Sequence, residues 1–236
     1  MLKWLERDDP FPAPEASLRQ PNGLLCAGAD LSVARLLDAY RHGIFPWYSG
    51  GEPILWWSPD PRMVLFCDEL KVSRSLAKSL RNKGFATTVD AAFPRVIQSC
   101  AAPRKGEAGT WLGTDMQAAY LALHRAGHAH SVETWLGGRL VGGLYGVALG
   151  RMFYGESMFS RATDASKVAL VALVEALRRR EFPMIDCQQR TPLLASMGAR
   201  EIPRRQFLRR VAALVNYAGE PGNWSGEEPG RTHVSA

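Results

Sequence analysis

The chain has 236 residues, 46% hydrophobic and 22% charged, enough for one large domain or a domain with a smaller companion. No run approaches the roughly 18 apolar residues of a membrane span. The opening ten residues carry early acids and lack a signal-peptide core, so a cytoplasmic protein with no membrane contact is expected; a monomer is expected as well. The net charge is +6, and residues 150–217, with 12 Lys/Arg against 6 Asp/Glu, carry the whole excess; such a patch suits a polyanionic partner. Cys26, Cys67, Cys100 and Cys187 are scattered without a C-x-x-C pair, which argues against a zinc site and, in the cytoplasm, against disulfides.

Residues 10–63 are rich in proline, glycine and tryptophan and read as a small, loop-dominated unit. One helix lies in it, capped by Ser32, with Leu36, Leu37 and Tyr40 at helical spacing and Gly43 at its end. From Met63 the pattern alternates. Met63–Cys67 reads as a strand, and 73–83 as a helix started by Ser73 and stopped by Gly84. Thr114-Asp-Met-Gln117 reads as a capping box opening a helix to Gly127. Ser131–Leu136, Gly137-Gly138 and Arg139–Leu149 spell a hairpin, and Met152–Ser160 a further strand. Thr163 or Asp164 is expected to cap the apolar helix Ala165–Arg180. Met184–Gln188 is the next strand. Thr191-Pro192 starts a short helix ended by Gly198, and residues 204–217 form a basic helix. These elements divide the chain into an aromatic, proline-rich unit (1–62), a larger domain (63–218) and a flexible tail (219–236).

A hairpin, a central helix and a following strand make an α/β (α+β) fold, a mixed sheet with helices on both faces. It resembles the N-acetyltransferase core. In such enzymes a glycine-rich turn at the start of the central helix holds the coenzyme A pyrophosphate. Here that place reads Ser160-Arg-Ala-Thr-Asp-Ala-Ser166, where an aspartate would repel phosphate, so another acyl carrier is expected.

Ten short runs, in order, resemble the leucyl/phenylalanyl-tRNA–protein transferase family. They are Pro-Asn-Gly-Leu-Leu (21–25), Gly-Ile-Phe-Pro-Trp (43–47), Trp-Trp-Ser-Pro-Asp-Pro-Arg (56–62), Gly-Thr-Trp (109–111) and His-Ala-His-Ser-Val-Glu (128–133). Leu-Val-Gly-Gly-Leu-Tyr-Gly (140–146), Gly-Glu-Ser-Met-Phe-Ser (155–160), Ala-Ser-Lys (165–167), Ile-Asp-Cys-Gln (185–188) and Gly-Ala-Arg-Glu-Ile-Pro-Arg-Arg (198–205) complete the set. The resemblance implies transfer of leucine or phenylalanine, and methionine less well, from aminoacyl-tRNA to proteins that begin with arginine or lysine. Their fate would be N-end rule degradation. It also implies a small N-terminal domain packed on an acetyltransferase-like one, and no cofactor or metal.

The resemblance assigns the catalytic pair to Asp186 and Gln188, with Glu156 as a third polar residue. Aminolysis of an ester needs no enzyme nucleophile, only an acceptor to align the amine and stabilisation of charge. Period-two geometry turns Asp186 and Gln188 to one side and Cys187 to the other. Gln188 is then the acceptor that aligns the amine, and Asp186 holds the charge developing on nitrogen. Glu156 either orients Gln188 or binds a substrate amine.

Family positions put Leu144, Phe153, Met158, Leu173 and Ile185 in a slot for the unbranched apolar side chain, though each alone would also suit plain core. Trp47 and Trp111 are implied to stack on the terminal adenosine, while Trp56 and Trp57 pack the domain junction. Lys71, Arg74, Lys78 and Arg81 form one helical stripe with no acid among them, suited to the tRNA backbone.

His124, His128 and His130 could in principle ligate a metal, but no carboxylate is spaced to complete the set. At the position five residues past the glutamine, where the family commonly has a histidine, this chain has Leu193. That counts against an essential acid–base role there and is the one hint of an inactive tRNA-binding homologue. A coenzyme A-dependent N-acetyltransferase is the other alternative.

Overall fold

The computed structural model describes residues 2–103, 112–217 and 222–225. The N-terminal part is built on four short strands, not on loops alone. β1 (Lys3–Leu5) and β2 (Leu24–Gly28) precede helix α1 (Val33–Arg41), β3 (Phe45–Pro46) and β4 (Leu55–Trp57) follow it, and the sheet order is β1-β2-β4-β3. Strands of two to five residues with prolines beside them have too little alternation to stand out in the sequence. The Ser32 hydroxyl caps α1 by accepting from the Arg35 N–H, as expected, and Gly43 turns the chain with φ +68°. Trp56 and Trp57 are both buried, with their indole N–H groups on the Gly28 and Trp47 carbonyls.

The larger sheet follows. Its elements are β5 (Arg62–Phe66), α2 (Arg74–Asn82), β6 (Ala86–Val89), α3 (Phe93–Ala101), α4 (Thr114–Arg125) and β7 (Ala129–Leu136). Then come β8 (Arg139–Leu149), β9 (Met152–Ser160), α5 (Ala165–Arg179), β10 (Met184–Gln188), α6 (Pro192–Ser196), β11 (Arg200–Ile202) and α7 (Arg204–Leu214). The seven strands lie in the order β11-β5-β10-β9-β8-β7-β6. Only β9 and β10 run parallel; every other pair is antiparallel. Helices α3 and α4 pack on one face, α5 and α2 on the other. This is the mixed α/β arrangement expected from the hairpin, central helix and following strand. Apolar packing is continuous with the N-terminal part, because Leu36, Tyr40 and Trp56 share a cluster with Val64, Phe93 and Tyr120.

Besides β1–β4, three elements lack a clear signal in the sequence: β6, α3 and β11. Helix α3 has no local cap; its N-terminus is held from β7, where the Glu133 carboxylate accepts from the Ala91 and Ala92 N–H groups. A start signal 41 residues away cannot be read locally. The capping box at Thr114 does not form either. Gly113 occupies the N-cap and Thr114 the first helical position, while the Gln117 amide turns back to the Leu112 carbonyl.

Asp164 stands at the N-cap of α5, but in the left-handed region and without capping it. Its carboxylate is drawn instead to the Ser79 hydroxyl at 2.7 Å and to Lys167 at 3.2 Å. Gly142 is needed where β8 passes this helix start, because a Cβ there would lie 2.6 Å from the Ala165 Cβ.

The tail expected from residue 219 is not free throughout. Trp224 is buried, its ring stacked on His130 at 3.8 Å and edge-on to Phe182, and its backbone N–H donates to Asp90. A lone tryptophan in a Gly-Pro-Ser-rich stretch carries no periodicity, so only the tertiary cavity that it fills reveals its role. Trp224→Ala should lower the unfolding free energy by about 3 kcal/mol, the low end for an aromatic truncation because a chain end can undock. Urea denaturation measures it; an unchanged midpoint would make the docking incidental.

Candidate active site

The site lies where β9 and β10 part. Their parallel pairing ends at Asp186 opposite Tyr154, and beyond it Glu156 on β9 and Gln188 on β10 face each other across the opening. The alternation of β10 also breaks there. Asp186 pairs with Val64 and Gln188 with the adjacent Met63, so Cys187 is the extra residue of a bulge. Gln188 takes φ +61°, and its N–H donates to Asp186 Oδ1 at 2.9 Å. The bulge interrupts the period-two alternation expected of Asp186 and Gln188, and what links the two is the backbone N–H of Gln188 on the Asp186 carboxylate. Cys187 packs against the opposite apolar cluster, where burial pushes its thiol well above the ordinary range.

Asp186, expected to hold charge developing on the amine, has both carboxylate oxygens already engaged. It is fully buried, and both oxygens are engaged by Arg62: Nε at 2.8 Å and Nη2 at 2.6 Å. Arg62 is itself buried between the rings of Phe45 and Phe207, 4.7 and 4.5 Å from their centroids. An ionised carboxylate on an apolar strand requires a partner of this kind. That requirement is the signal by which Arg62, the last residue of the Pro-Asp-Pro-Arg run, could have been found.

Glu156 is the hub of the opening. Its Oε1 accepts from the Tyr40 hydroxyl at 2.8 Å and from the Gln188 amide nitrogen at 3.0 Å, and its Oε2 from the Tyr120 hydroxyl at 2.6 Å. Of the two roles open to it, the geometry realises the orientation of Gln188. A carboxylate only accepts, so it fixes the amide nitrogen inward and turns the carbonyl oxygen of Gln188 away from it. Burial raises the Glu156 carboxyl to about 7, against the pull of the two phenol donors. Tyr40 and Tyr120 carry no sequence signal, since they come from helices 80 residues apart.

The Glu156 shift has a consequence for stability. The folded state keeps the proton above the ordinary carboxyl value of 4.5 and the unfolded state does not. Its contribution is therefore complete below about pH 4.5 and lost as pH rises through about 7. Glu156→Gln should gain on the parent by up to about 3 kcal/mol across that window. Parallel stability curves for the two proteins from pH 4.5 to 7.5 would contradict it.

The five apolar residues expected to form the slot share one cluster: Leu144, Phe153, Leu173 and Ile185 are buried and Met158 is half-buried. Trp224 joins it, 6.2 Å from Phe153. Trp47 is exposed, edge-on to Trp57, while Trp111 lies outside the described residues. Lys71, Arg74, Lys78 and Arg81 are all exposed, but Lys71 precedes α2, so only the other three lie on the helix, with Leu76 and Ala77 turned inward.

At the α5 start the Ala165 and Ser166 N–H groups are taken by the Ala162 carbonyl and the Ser160 hydroxyl, with the Asp164 carboxylate beside them. That end offers a pyrophosphate poor terms. The His124 Nδ1–H donates to the Ala129 carbonyl and its ring stacks on Phe93, while His130 pairs with Asp90. A cleft of about 510 Å³ at the far end of β5 sets Arg178, Arg200 and Arg210 against Asp68, Glu69 and Glu181, and Glu156, Asp186 and Gln188 do not line it.

A buried carboxylate that aims an amide, backed by an aspartate locked to arginine, is a site for orienting groups, as in an acyl-transfer enzyme without its own nucleophile. Comparison with known proteins agrees. A family model described as leucyl/phenylalanyl-tRNA protein transferase matches residues 64–212, and that of its N-terminal domain matches residues 29–60. The chain is 64% identical to the leucyl/phenylalanyl-tRNA–protein transferase of Thiobacillus denitrificans, over 91% of this chain and 94% of that protein. The enzyme of the same name from Nitrosospira multiformis is 59% identical over 95% and 97%. The chain belongs to the leucyl/phenylalanyl-tRNA–protein transferase family.

Among solved structures, L-PGS from Bacillus licheniformis shares 11% identity at a TM-score of 0.41, covering 66% of this chain and 51% of its own. A ribosomal-protein-alanine N-acetyltransferase from Brucella melitensis shares 16% at 0.34, covering 58% and 96%. At that distance neither substrate nor mechanism carries over.

Proposed function

We propose that this chain moves leucine, phenylalanine and, less readily, methionine from aminoacyl-tRNA to the N-terminal arginine or lysine of acceptor proteins, marking them for N-end rule degradation. It works as a cytoplasmic monomer and needs no cofactor. The acceptor α-amine, with an ordinary pKa of about 7.7–8.0, attacks the ester carbonyl. The new C–N bond forms, the ester C–O bond breaks, and the ribose oxygen leaves as a hydroxyl with the proton that the amine gives up.

The observation that carries this reading is the Gln188 amide, its nitrogen 3.0 Å from Glu156 and its carbonyl oxygen therefore turned to the opening. That oxygen accepts a hydrogen bond from the incoming amine and aims its lone pair. Asp186 acts on the amine through Gln188, whose bulged backbone it holds. The apolar cluster of Leu144, Phe153, Met158, Leu173 and Ile185 takes the amino-acid side chain, and crowding near the Cβ excludes β-branched residues. The exposed ring of Trp47, with Trp111, stacks the terminal adenosine. The stripe Lys71, Arg74, Lys78 and Arg81 contacts tRNA phosphates without reading sequence.

The test incubates the protein with labelled Leu-tRNA or labelled acetyl-CoA and a peptide that begins with arginine. Labelled peptide from Leu-tRNA supports the reading. Tight tRNA binding without transfer would leave only a binding module, and acetyl transfer would make it an acetyltransferase.

A further inference from the structure

We propose that Tyr40 and Tyr120 are positioning residues of the transfer reaction, which set the direction of the Gln188 amide through Glu156. The inference rests on the role given above to Gln188.

Both phenols are fully buried, and burial, the largest cause, raises both well above the ordinary phenol range. Each therefore carries one proton. The two hydroxyls lie 2.9 Å apart and reach different oxygens of one carboxylate, Tyr40 the Oε1 and Tyr120 the Oε2. Two O–H donors aimed at Glu156 favour its ionised form, and only the ionised form is bound to accept from Gln188 Nε2. Protonated, Glu156 becomes a donor that can satisfy the Gln188 carbonyl oxygen instead. The amide then turns over and offers its NH₂ to the incoming amine, which cannot align it.

The remaining groups around Glu156 do not replace the two phenols. Arg62 on β5 favours the charged form, but its Nε and Nη2 are spent on Asp186, which opposes it. Tyr145 on β8 lies edge-on to Tyr120 at 5.2 Å, and among the described residues its hydroxyl has no hydrogen-bond partner. The Tyr154 hydroxyl on β9 is turned to the Tyr40 carbonyl. This last contact, at 2.6 Å, fixes the end of α1 over the sheet, so the N-terminal part supplies Tyr40 at a defined height.

The test compares Tyr120→Phe and Tyr40→Phe with the parent in leucine transfer from Leu-tRNA to an arginine-starting peptide between pH 6 and 8.5. Taking the ratio of rates at each pH removes the titration of the acceptor amine, which is common to all. For Tyr120→Phe the kcat ratio should fall about tenfold near pH 6.5 and recover to within about twofold by pH 8.5, with the KM for Leu-tRNA unchanged. In a Glu156→Gln background the same substitution should change kcat less than twofold. An equal loss at every pH, or the same loss without Glu156, would reduce the tyrosines to packing.

A readout independent of transfer separates this idea from the functional reading. The pH window in which Glu156 costs stability should extend upward in Tyr120→Phe, whether or not the chain transfers leucine. A window that stays where it is in the parent would overturn the proposal, whereas a parent unable to transfer leucine would overturn the functional reading alone.

Discussion

Gln188→Ala is expected to lower kcat for leucine transfer by about a hundredfold or more while leaving tRNA affinity within about twofold. The amide is held by Glu156, and the substitution leaves the residues of the apolar cluster and of the exposed basic stripe unchanged, so the donor binds as before. What is lost is the acceptor that holds the amine with its lone pair directed at the ester. Gln188→Asn tests the geometry further. Its shorter side chain retracts the carbonyl by roughly one methylene, and a misplacement of about 1 Å is enough to cost most of that factor. Single-turnover transfer alongside a tRNA filter-binding assay measures both quantities. Equal losses in rate and affinity would contradict an orienting role for Gln188.

Arg62→Leu should be the most destabilising single change near the site, by about 3–5 kcal/mol. The substitution leaves Asp186 buried with no cation while the rings of Phe45 and Phe207 close on an aliphatic chain. Arg62→Lys should recover only part of this, because an ammonium cannot make the two-pronged contact that Nε and Nη2 make with the carboxylate. The double change Arg62→Leu with Asp186→Asn should be markedly less destabilised than the sum of the two, since the uncompensated charge is gone. It should still be inactive, because the Asp186 carboxylate that braces the Gln188 bulge has been altered. Urea denaturation of the four proteins measures the cycle, and strict additivity would show that the pair is not coupled.

Much of the layout could be read from local pattern. The hairpin around Gly137-Gly138, the strand Met152–Ser160, the apolar helix beginning at Ala165 and the strand Met184–Gln188 all lie where alternation or helical spacing put them. Each has a strong period over at least five residues and a turn signal beside it. What failed were starts and ends that depend on distant partners. Asp164 has the right side chain for a cap and stands at the right position, yet it is pulled away by Ser79 and Lys167. Helix α3 begins where Glu133 can reach it, and Trp224 ends in the core because His130 and Asp90 receive it.

By itself the sequence determined the mixed α/β class and, through ten short runs in order, the family and the candidate residues of the site. Those features live in periodicity and in the identity of neighbouring residues, which survive without a fold. Which atoms act was decided only in three dimensions. Alternation along the strand turned Asp186 and Gln188 to one amine; Arg62, from 124 residues away, instead engages both oxygens of the first. Two tyrosines from separate helices and a carboxylate on the next strand give the second its direction. Hydrogen bonds and ion pairs act over about 3 Å, and only tertiary packing sets such distances between residues this far apart in the chain.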